Sequence, residues 1–302
     1  MTRPTVKFGI FGNIAKPAIA EATLLLLSLL RKKKVPFILH DELGKWLNAL
    51  HASKSVPRGD MCKKENLAQH CEILIALGGD GTMLQAARIM GRQGKPILGV
   101  NIGKLGFLAE ISTDHLEQSV NDILRGRFVV EERMVLESRS VSTNRHFYGL
   151  NDIVIDKGSS SRVISIETYV DEEYLTTYTA DGIIVNTPTG STAYSLATGG
   201  PIVVPRTKVI TINPIAPHAL TARPMIVPDA SMIRMVVTAD FQKVRLTADG
   251  QEEQLFKSPA EFVIKKAPYT IKLVKSLRGS FYDTLRKKLL WGRDLRVKSA
   301  NR

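Results

Sequence analysis

The sequence predicts a two-part protein of mixed class, an α/β domain followed by a β-rich domain, and three observations carry that prediction. Through the first third of the chain short apolar runs alternate with helical patterns. From about Phe128 this alternation gives way to closely spaced segments rich in β-branched and aromatic residues, each closed by turn residues. The chain has 302 residues, 44% hydrophobic and 24% charged, enough for two ordinary domains and incompatible with wholesale disorder.

Residues 6–11 read as a strand, 18–33 as a helix, and 36–40 as a second strand leading into a helical stretch through Trp46 to Leu50. Strand and helix keep alternating through an apolar run over 73–77, a helix over 83–90, a strand over 96–102 and an amphipathic helix over 115–124. Continuous apolar strands linked by helices are the βαβ pattern of a parallel sheet covered on both faces. Strands are then expected over 129–142, 147–156, 164–169, 177–187, 209–213, 232–238, 243–247 and 262–266, mostly antiparallel, with a helix only near 194–198. The stretch 281–290 is helical again and basic, and is expected to return to the first domain.

Several function classes drop out at this level. The longest apolar stretch, 24–30, falls far short of the roughly 20 residues that cross a bilayer. No secretory pattern opens the chain, so a cytoplasmic protein without a membrane partner is expected. Cys62 and Cys71 lack metal-binding spacing and read as reduced thiols, and the six histidines are scattered, so no structural zinc is expected. His218, after Pro217 and between apolar stretches, reads as a buried, hydrogen-bonded imidazole. The net charge is 42 − 29 = +13, but residues 265–302 hold twelve Lys or Arg against Asp283 and Asp294, a surplus of +10. Without zinc-finger spacing or an aromatic RNA-binding motif, that localised charge argues against a nucleic-acid partner; it fits the steering of anionic small molecules and equally a solvated face or a subunit contact.

Two motifs carry chemistry. Gly78-Gly79-Asp80-Gly81-Thr82 stands where an apolar run ends and a helix begins, a junction that can cradle phosphate with backbone N–H groups and a helix dipole. Asp80 repels a phosphate, so its presence implies a metal ion or a hydroxyl to polarise; alone, the motif also fits an ordinary turn with an exposed Asp. The second motif, TPTGSTAYS at 187–195, is a hydroxyl-rich turn around Gly190 that could hold a ribose or a phosphate, or merely cap a helix. Neither a Walker-type loop nor a nucleophilic Cys or Ser–His–Asp arrangement is present.

Taken with NIGKLGFL at 101–108, LND at 150–152, ADGIIVNTPTGSTAYSLATGGPI at 180–202, NPIAPHALTARPMIVP at 213–228, DGQ at 249–251 and SFYDTLRKKLLWG at 280–292, these motifs resemble bacterial NAD kinases over most of the chain. GGDGT alone is shared with diacylglycerol and sphingosine kinases, whereas the TPTGSTAY block followed by PHALTARP is the specific part. The resemblance implies transfer of the ATP γ-phosphate to the 2′-hydroxyl of the adenosine ribose of NAD, giving NADP, with a divalent cation such as magnesium bound with ATP. It implies a Rossmann-like α/β domain over 1–131, a β-sandwich-like NAD-binding domain over 132–267, and a segment 268–302 packed back on the first domain. An active site in the cleft between the domains, and a homodimer or homotetramer, are implied as well.

By the same resemblance Asp80 is the catalytic carboxylate, general base or metal-assisted activator, and Gly81 contacts the substrate through its backbone. Asn151 and Asp152 stand for the family's Asn-Glu pair, with a shorter acid. Arg162 occupies a substrate-binding position, and Thr179 and Asp181 lie where relatives contact the nicotinamide half and an adenine. Thr192, Ala193, Tyr194, Ser195, Leu196 and Ala197 form the adenosine-binding turn, Tyr194 placed to stack, and Gln251 completes the set. Phe107 is the apolar residue with a claim to touch ligand. Thr179 matches neither the charged residue of NAD-selective relatives nor the glycine of tolerant ones, so NAD and NADH both stay open, as do ATP and polyphosphate as donors. The competing readings are a GGDGT lipid kinase, which needs an acyl groove, and a non-catalytic dinucleotide- or nucleic-acid-binding protein, which gains nothing from Asp80.

Overall fold

Ile73–Leu77 is buried at every position, as are Phe8–Gly12 and Ile97–Asn101, which is what strands covered on both faces require. The structure, a computed structural model, describes residues 6–16, 18–50, 56–103, 106–240, 243–275 and 280–291. Lys104 and Leu105 of NIGKLGFL and residues 292–302 of the basic C-terminal segment therefore lie outside the described residues. The chain divides into two compact units, Met1–Glu131 with Lys272–Arg302, and Glu132–Ile271.

In the first unit β1 (Phe8–Gly12), α1 (Ile19–Lys32), β2 (Phe37–His40), α2 (Asp41–Leu50), β3 (Met61–Cys62), α3 (Leu67–His70), β4 (Ile73–Leu77), α4 (Asp80–Met90), β5 (Ile97–Asn101), β6 (Ile111–Ser112) and α5 (Leu116–Leu124) follow in order. The strands pair in parallel as β3-β2-β1-β4-β5, with β6 also on β5. From β1 the chain builds first to one side and then to the other, so the order reverses between β1 and β4. In open α/β sheets ligands bind beyond the carboxyl ends of the strands at such a reversal, and GGDGT directly follows β4. Ile19, Leu26, Leu27 and Leu30 give α1 a buried stripe that joins the sheet residues in one core.

β7 (Val129–Ser140) leads into the second unit, which continues with β8 (His146–Gly149), β9 (Asp152–Asp156), β10 (Ile164–Val170), β11 (Glu173–Ala180), β12 (Gly182–Asn186), α6 (Tyr194–Ala197), β13 (Val209–Ile215), β14 (Met225–Pro228), β15 (Ile233–Thr238), β16 (Lys243–Ala248), β17 (Glu252–Lys257) and β18 (Ala260–Lys275). One sheet is antiparallel, in the order β14-β13-β12-β9-β16-β17. The other runs β11-β10-β15-β18, with β7 pairing β18 and β8. Inward residues of both sheets, among them Ile155, Val185, Ile212, Met235 and Phe262, share one core, as in a β-sandwich. The end of β18 pairs with β5 at Leu273 and Ile97 within the first unit, and α7 (Phe281–Leu289) follows there.

The expected class, α/β plus β-rich, is the one observed, with local corrections. The strand expected over 147–156 is two strands, because the backbone N–H groups of Leu150, Asn151 and Asp152 turn to the Asp249 carboxylate instead of a ladder. The strand expected over 177–187 is likewise the end of β11 and all of β12, parted at Asp181. The run 262–266 is only the middle of β18. Nor is His218 a buried imidazole: the residue is exposed, and its backbone N–H donates to the Thr179 carbonyl at 2.9 Å. Cys62 and Cys71 are free, and burial pushes the Cys71 thiol up to about 11. Among the described residues no helix is long and apolar enough to cross a membrane.

Candidate functional site

The first cluster is built on the β4–α4 junction. Gly78 N–H donates to the Val100 carbonyl, which ties the turn to β5. Gly79 is the extended N-cap of α4, and its carbonyl accepts from Thr82 and Met83, so Asp80 becomes the first residue of the helix. The Asp80 carboxylate accepts three backbone hydrogen bonds from the segment after β5. Phe107 N–H donates to Oδ2 at 2.9 Å, and Leu108 and Ala109 N–H donate to Oδ1 at 2.9 and 3.3 Å. The N–H groups of 107–109 thus enclose the protein's own anion and not a phosphate. A carboxylate offers about four lone-pair sites, so among the described residues one remains, on Oδ2. Lys288 Nζ stands 3.8 Å from that oxygen. Gly81 follows Asp80 in the first turn of α4.

The second cluster lies wholly in the second unit. The β16–β17 hairpin turns at Asp249-Gly250, both with positive φ, and Gln251 N–H closes the turn onto the Ala248 carbonyl. From there the Asp249 carboxylate takes the N–H groups of Leu150, Asn151 and Asp152 at 2.9, 2.7 and 3.2 Å. The hydroxyl-rich turn is stitched to the same segment: Thr187 N–H donates to the Asn151 carbonyl, and Thr187 Oγ1 to the Leu150 carbonyl at 2.6 Å. Asn213 Nδ2 fixes the following turn by donating to the Ser195 carbonyl and to Thr198 Oγ1.

These contacts frame a cavity of about 460 Å³ lined by Asn151, Asp152, Asp156, Ala193, Tyr194 and Arg245, among others. Asp152 is buried; burial first, and the neighbouring Asp249 charge second, push its carboxyl up to about 7. Arg245 is held by Asp156 through Nε and Nη2, both at 3.0 Å. The lining is rich in acceptors and its guanidinium is engaged, so the cavity suits hydroxyl and amine donors better than phosphate.

Of the expected binding residues, Asn151, Asp152, Ala193 and Tyr194 line this cavity. Tyr194 is exposed, as a stacking ring must be, whereas Ser195 is fully buried beneath the turn and holds it together. Thr192 bonds back to Thr189 within the turn, and Leu196 and Ala197 belong to α6. Gln251 directly follows the hairpin turn. Arg162, Thr179 and Asp181 stand outside the lining: Arg162 is exposed after β9, Thr179 is exposed on β11, and Asp181 pairs with Lys157 at 2.7 Å. Sequence reasoning missed Asp249 and Arg245. An Asp-Gly turn inside DGQ signalled the hairpin, but nothing local signalled what its carboxylate would hold.

Comparison with known proteins places these two clusters in context. The ATP-NAD kinase N-terminal domain matches residues 8–128 and the ATP-NAD kinase C-terminal domain residues 150–276. An NAD kinase of Bacteroides fragilis is 40% identical over 296 residues, spanning 97% of this chain and 100% of that protein. An NAD kinase of Carboxydothermus hydrogenoformans is 43% identical over 233 residues, 76% of this chain and 83% of its own. The crystal structure of yeast NADH kinase complexed with NADH superposes with a TM-score of 0.89 at 25% identity, covering 99% of this chain and 91% of that one. An NAD kinase from Archaeoglobus fulgidus in complex with ATP has the same fold, with a TM-score of 0.74 at 22% identity over 94% and 98% of the two chains. With GGDGT inside one matched domain, the Asn151 segment and DGQ hairpin inside the other, and relatives matched almost from end to end, the chain belongs to the NAD kinase family.

Proposed function

We infer that the protein is an NAD kinase, transferring the γ-phosphoryl group of ATP to the 2′-hydroxyl of the adenosine ribose of NAD to give NADP and ADP. Family membership supports the reaction, and one observation supports its chemistry: Asp80 is a carboxylate fixed by three backbone donors with a single acceptor position left, on Oδ2. Asp80 is the general base. The ribose 2′-hydroxyl donates to Oδ2, its oxygen attacks the γ-phosphorus, the bond from that phosphorus to the β,γ-bridging oxygen breaks, and ADP leaves with the electron pair. The hydroxyl proton ends on Asp80. Preorganisation by fixed backbone dipoles means that the base does not have to be assembled during the reaction.

The acceptor-rich cavity of the second unit holds the nucleoside part of the substrate, through Asn151, Asp152 and a stacked Tyr194, with Thr192, Ala193 and Ser195–Ala197 shaping the turn. Gly81, Arg162, Thr179, Asp181 and Gln251 are assigned to further substrate contacts by family resemblance alone. Among the described residues no group of three or more His, Cys, Asp or Glu side chains could hold a metal, and the one position left on Asp80 is taken by the hydroxyl. Magnesium is expected to enter as part of the MgATP substrate, where it neutralises phosphate charge. A homodimer or homotetramer in the cytoplasm is the associated expectation, which light scattering of the purified protein tests for assembly.

The deciding experiment is NADP formation from NAD and MgATP, read with an NADP-specific dehydrogenase, beside Asp80→Asn. Asparagine keeps an acceptor for some of the backbone donors and cannot take the proton, so kcat should fall by about 100-fold or more while NAD still binds. Near-normal turnover by Asp80→Asn removes the general-base role.

A further inference from the structure

Arg286, Lys287 and Lys288 follow one another in the basic C-terminal stretch, and helix geometry sends them in different directions. A capping box sets the register of α7: Asp283 N–H donates to Ser280 Oγ, and Ser280 N–H donates to the Asp283 carboxylate at 2.9 Å. The buried residues of the helix are Thr284 and Leu285. Position 288 lies four and three residues beyond them and so shares their face. Arg286 pairs back to Asp283, and Lys287 is exposed.

On that inward face the Lys288 side chain is only 29% exposed, with Nζ 3.8 Å from Asp80 Oδ2 and 4.4 Å from the centre of the Phe107 ring. Two features distinguish this from a closed structural ion pair. The separation exceeds hydrogen-bond length, and among the described residues Lys288 Nζ donates no hydrogen bond, so its N–H groups stay available. It also faces Oδ2, the oxygen with the remaining acceptor position, and the ring that positions it belongs to the residue whose N–H bonds that same oxygen.

We propose that Lys288 is a catalytic residue of the phosphoryl transfer, its ammonium contacting the oxygens of the γ-phosphoryl group as that group passes to the hydroxyl held on Asp80. The proposal rests on the reading of Asp80 given above. A phosphoryl group brought to a carboxylate meets like charge, and a transition state that spreads negative charge over the equatorial oxygens is stabilised by a cation fixed in advance. Lys288 supplies that cation without occupying the acceptor position. The bonds made and broken are those of the transfer described above; the lysine keeps its proton throughout.

The test uses the full chain and the NADP-forming assay with NAD and MgATP. Lys288→Met keeps the stem over Phe107 and removes the charge; kcat is expected to fall about 100-fold, with KM for NAD within about twofold of wild type. Lys287→Met, altered on the outer face, is expected to keep the wild-type kcat. Lys288→Ala assayed with added ethylammonium is expected to regain turnover in a saturable way, and Lys288→Arg to retain part of it, readouts that a packing role does not produce. Folded Lys288→Met protein with nearly wild-type kcat overturns the proposal, and so does a loss in Lys288→Ala that ethylammonium does not restore. If the wild type itself forms no NADP, the reading of the Asp80 site falls and takes this proposal with it; an active wild type with indifferent variants removes only the role of Lys288.

Discussion

Asp152 shows how burial beside a second carboxylate can give one side chain two chemistries near neutrality. It is 4% exposed, and the loss of hydration together with the adjacent Asp249 carboxylate raises its carboxyl from the ordinary 3.8 to about 7. Below that value it carries a proton it can donate; above it, it offers only acceptors. The folded protein holds this proton between about pH 4 and 7 while the unfolded chain releases it, so stability falls as pH rises through that window. The cost is absent below the ordinary carboxyl pKa and complete above pH 7, at about 4 kcal/mol. Asp152→Asn removes the ionisable group. Its melting temperature should therefore exceed that of wild type at pH 8, with the gain vanishing near pH 4. A gain independent of pH, or a loss at pH 8, would contradict the buried-acid account.

At the scale of elements, a helix start and a loop approach two glycines closely and with opposite consequences. A Cβ on Gly106 would lie 2.0 Å from Asp80 Oδ1, the movable end of a side chain, whereas on Gly190 it would lie 2.1 Å from the Asn151 carbonyl oxygen, which is backbone. Gly106→Ala should spare the fold and displace the carboxylate, lowering kcat by about 100-fold with little change in melting temperature. Gly190→Ala forces the hydroxyl-rich turn off the segment before β9 and should cost about 2 kcal/mol or more of stability. Urea unfolding and the NADP assay on both variants check the contrast; equal stability losses would refute it. The motif glycines were readable in the sequence, but not what faced them. Among the strands, β4 was legible because a parallel strand is apolar at every position. β17, Glu252–Lys257, was not: it is an edge strand whose residues alternate between exposed and covered, so EEQLFK reads as solvated chain. β18 was seen only in its middle, because Pro268, just beyond Lys265 and Lys266, reads as the end of a strand.

Over the whole molecule, the order of elements and the candidate carboxylate Asp80 were legible because both depend on local pattern: apolar periodicity for the sheets, an Asp among glycines for the candidate site. The contacts that build each of the two clusters were not, since Lys288 meets Asp80 across 208 positions of chain in one and Asp249 meets Asn151 across 98 in the other, and no local signal encodes such a meeting. The charge distribution is legible without any structure. Of a net +13, the last 38 residues hold +10, and both nucleotide substrates are anions. A field of that sign speeds encounter with them at a distance and fades with screening. Raising salt from about 0.01 to 0.1 M shortens the Debye length from about 30 to 10 Å, so kcat/KM for MgATP should fall several-fold while kcat at saturation stays level, because the bound state is reached by the same chemistry however slowly the partners meet. Replacing Arg286 and Lys287, which face away from Asp80, with glutamine should flatten that dependence without touching kcat. A salt profile that is flat in the wild type, or equally steep in the double variant, would assign the C-terminal charge to something other than substrate capture.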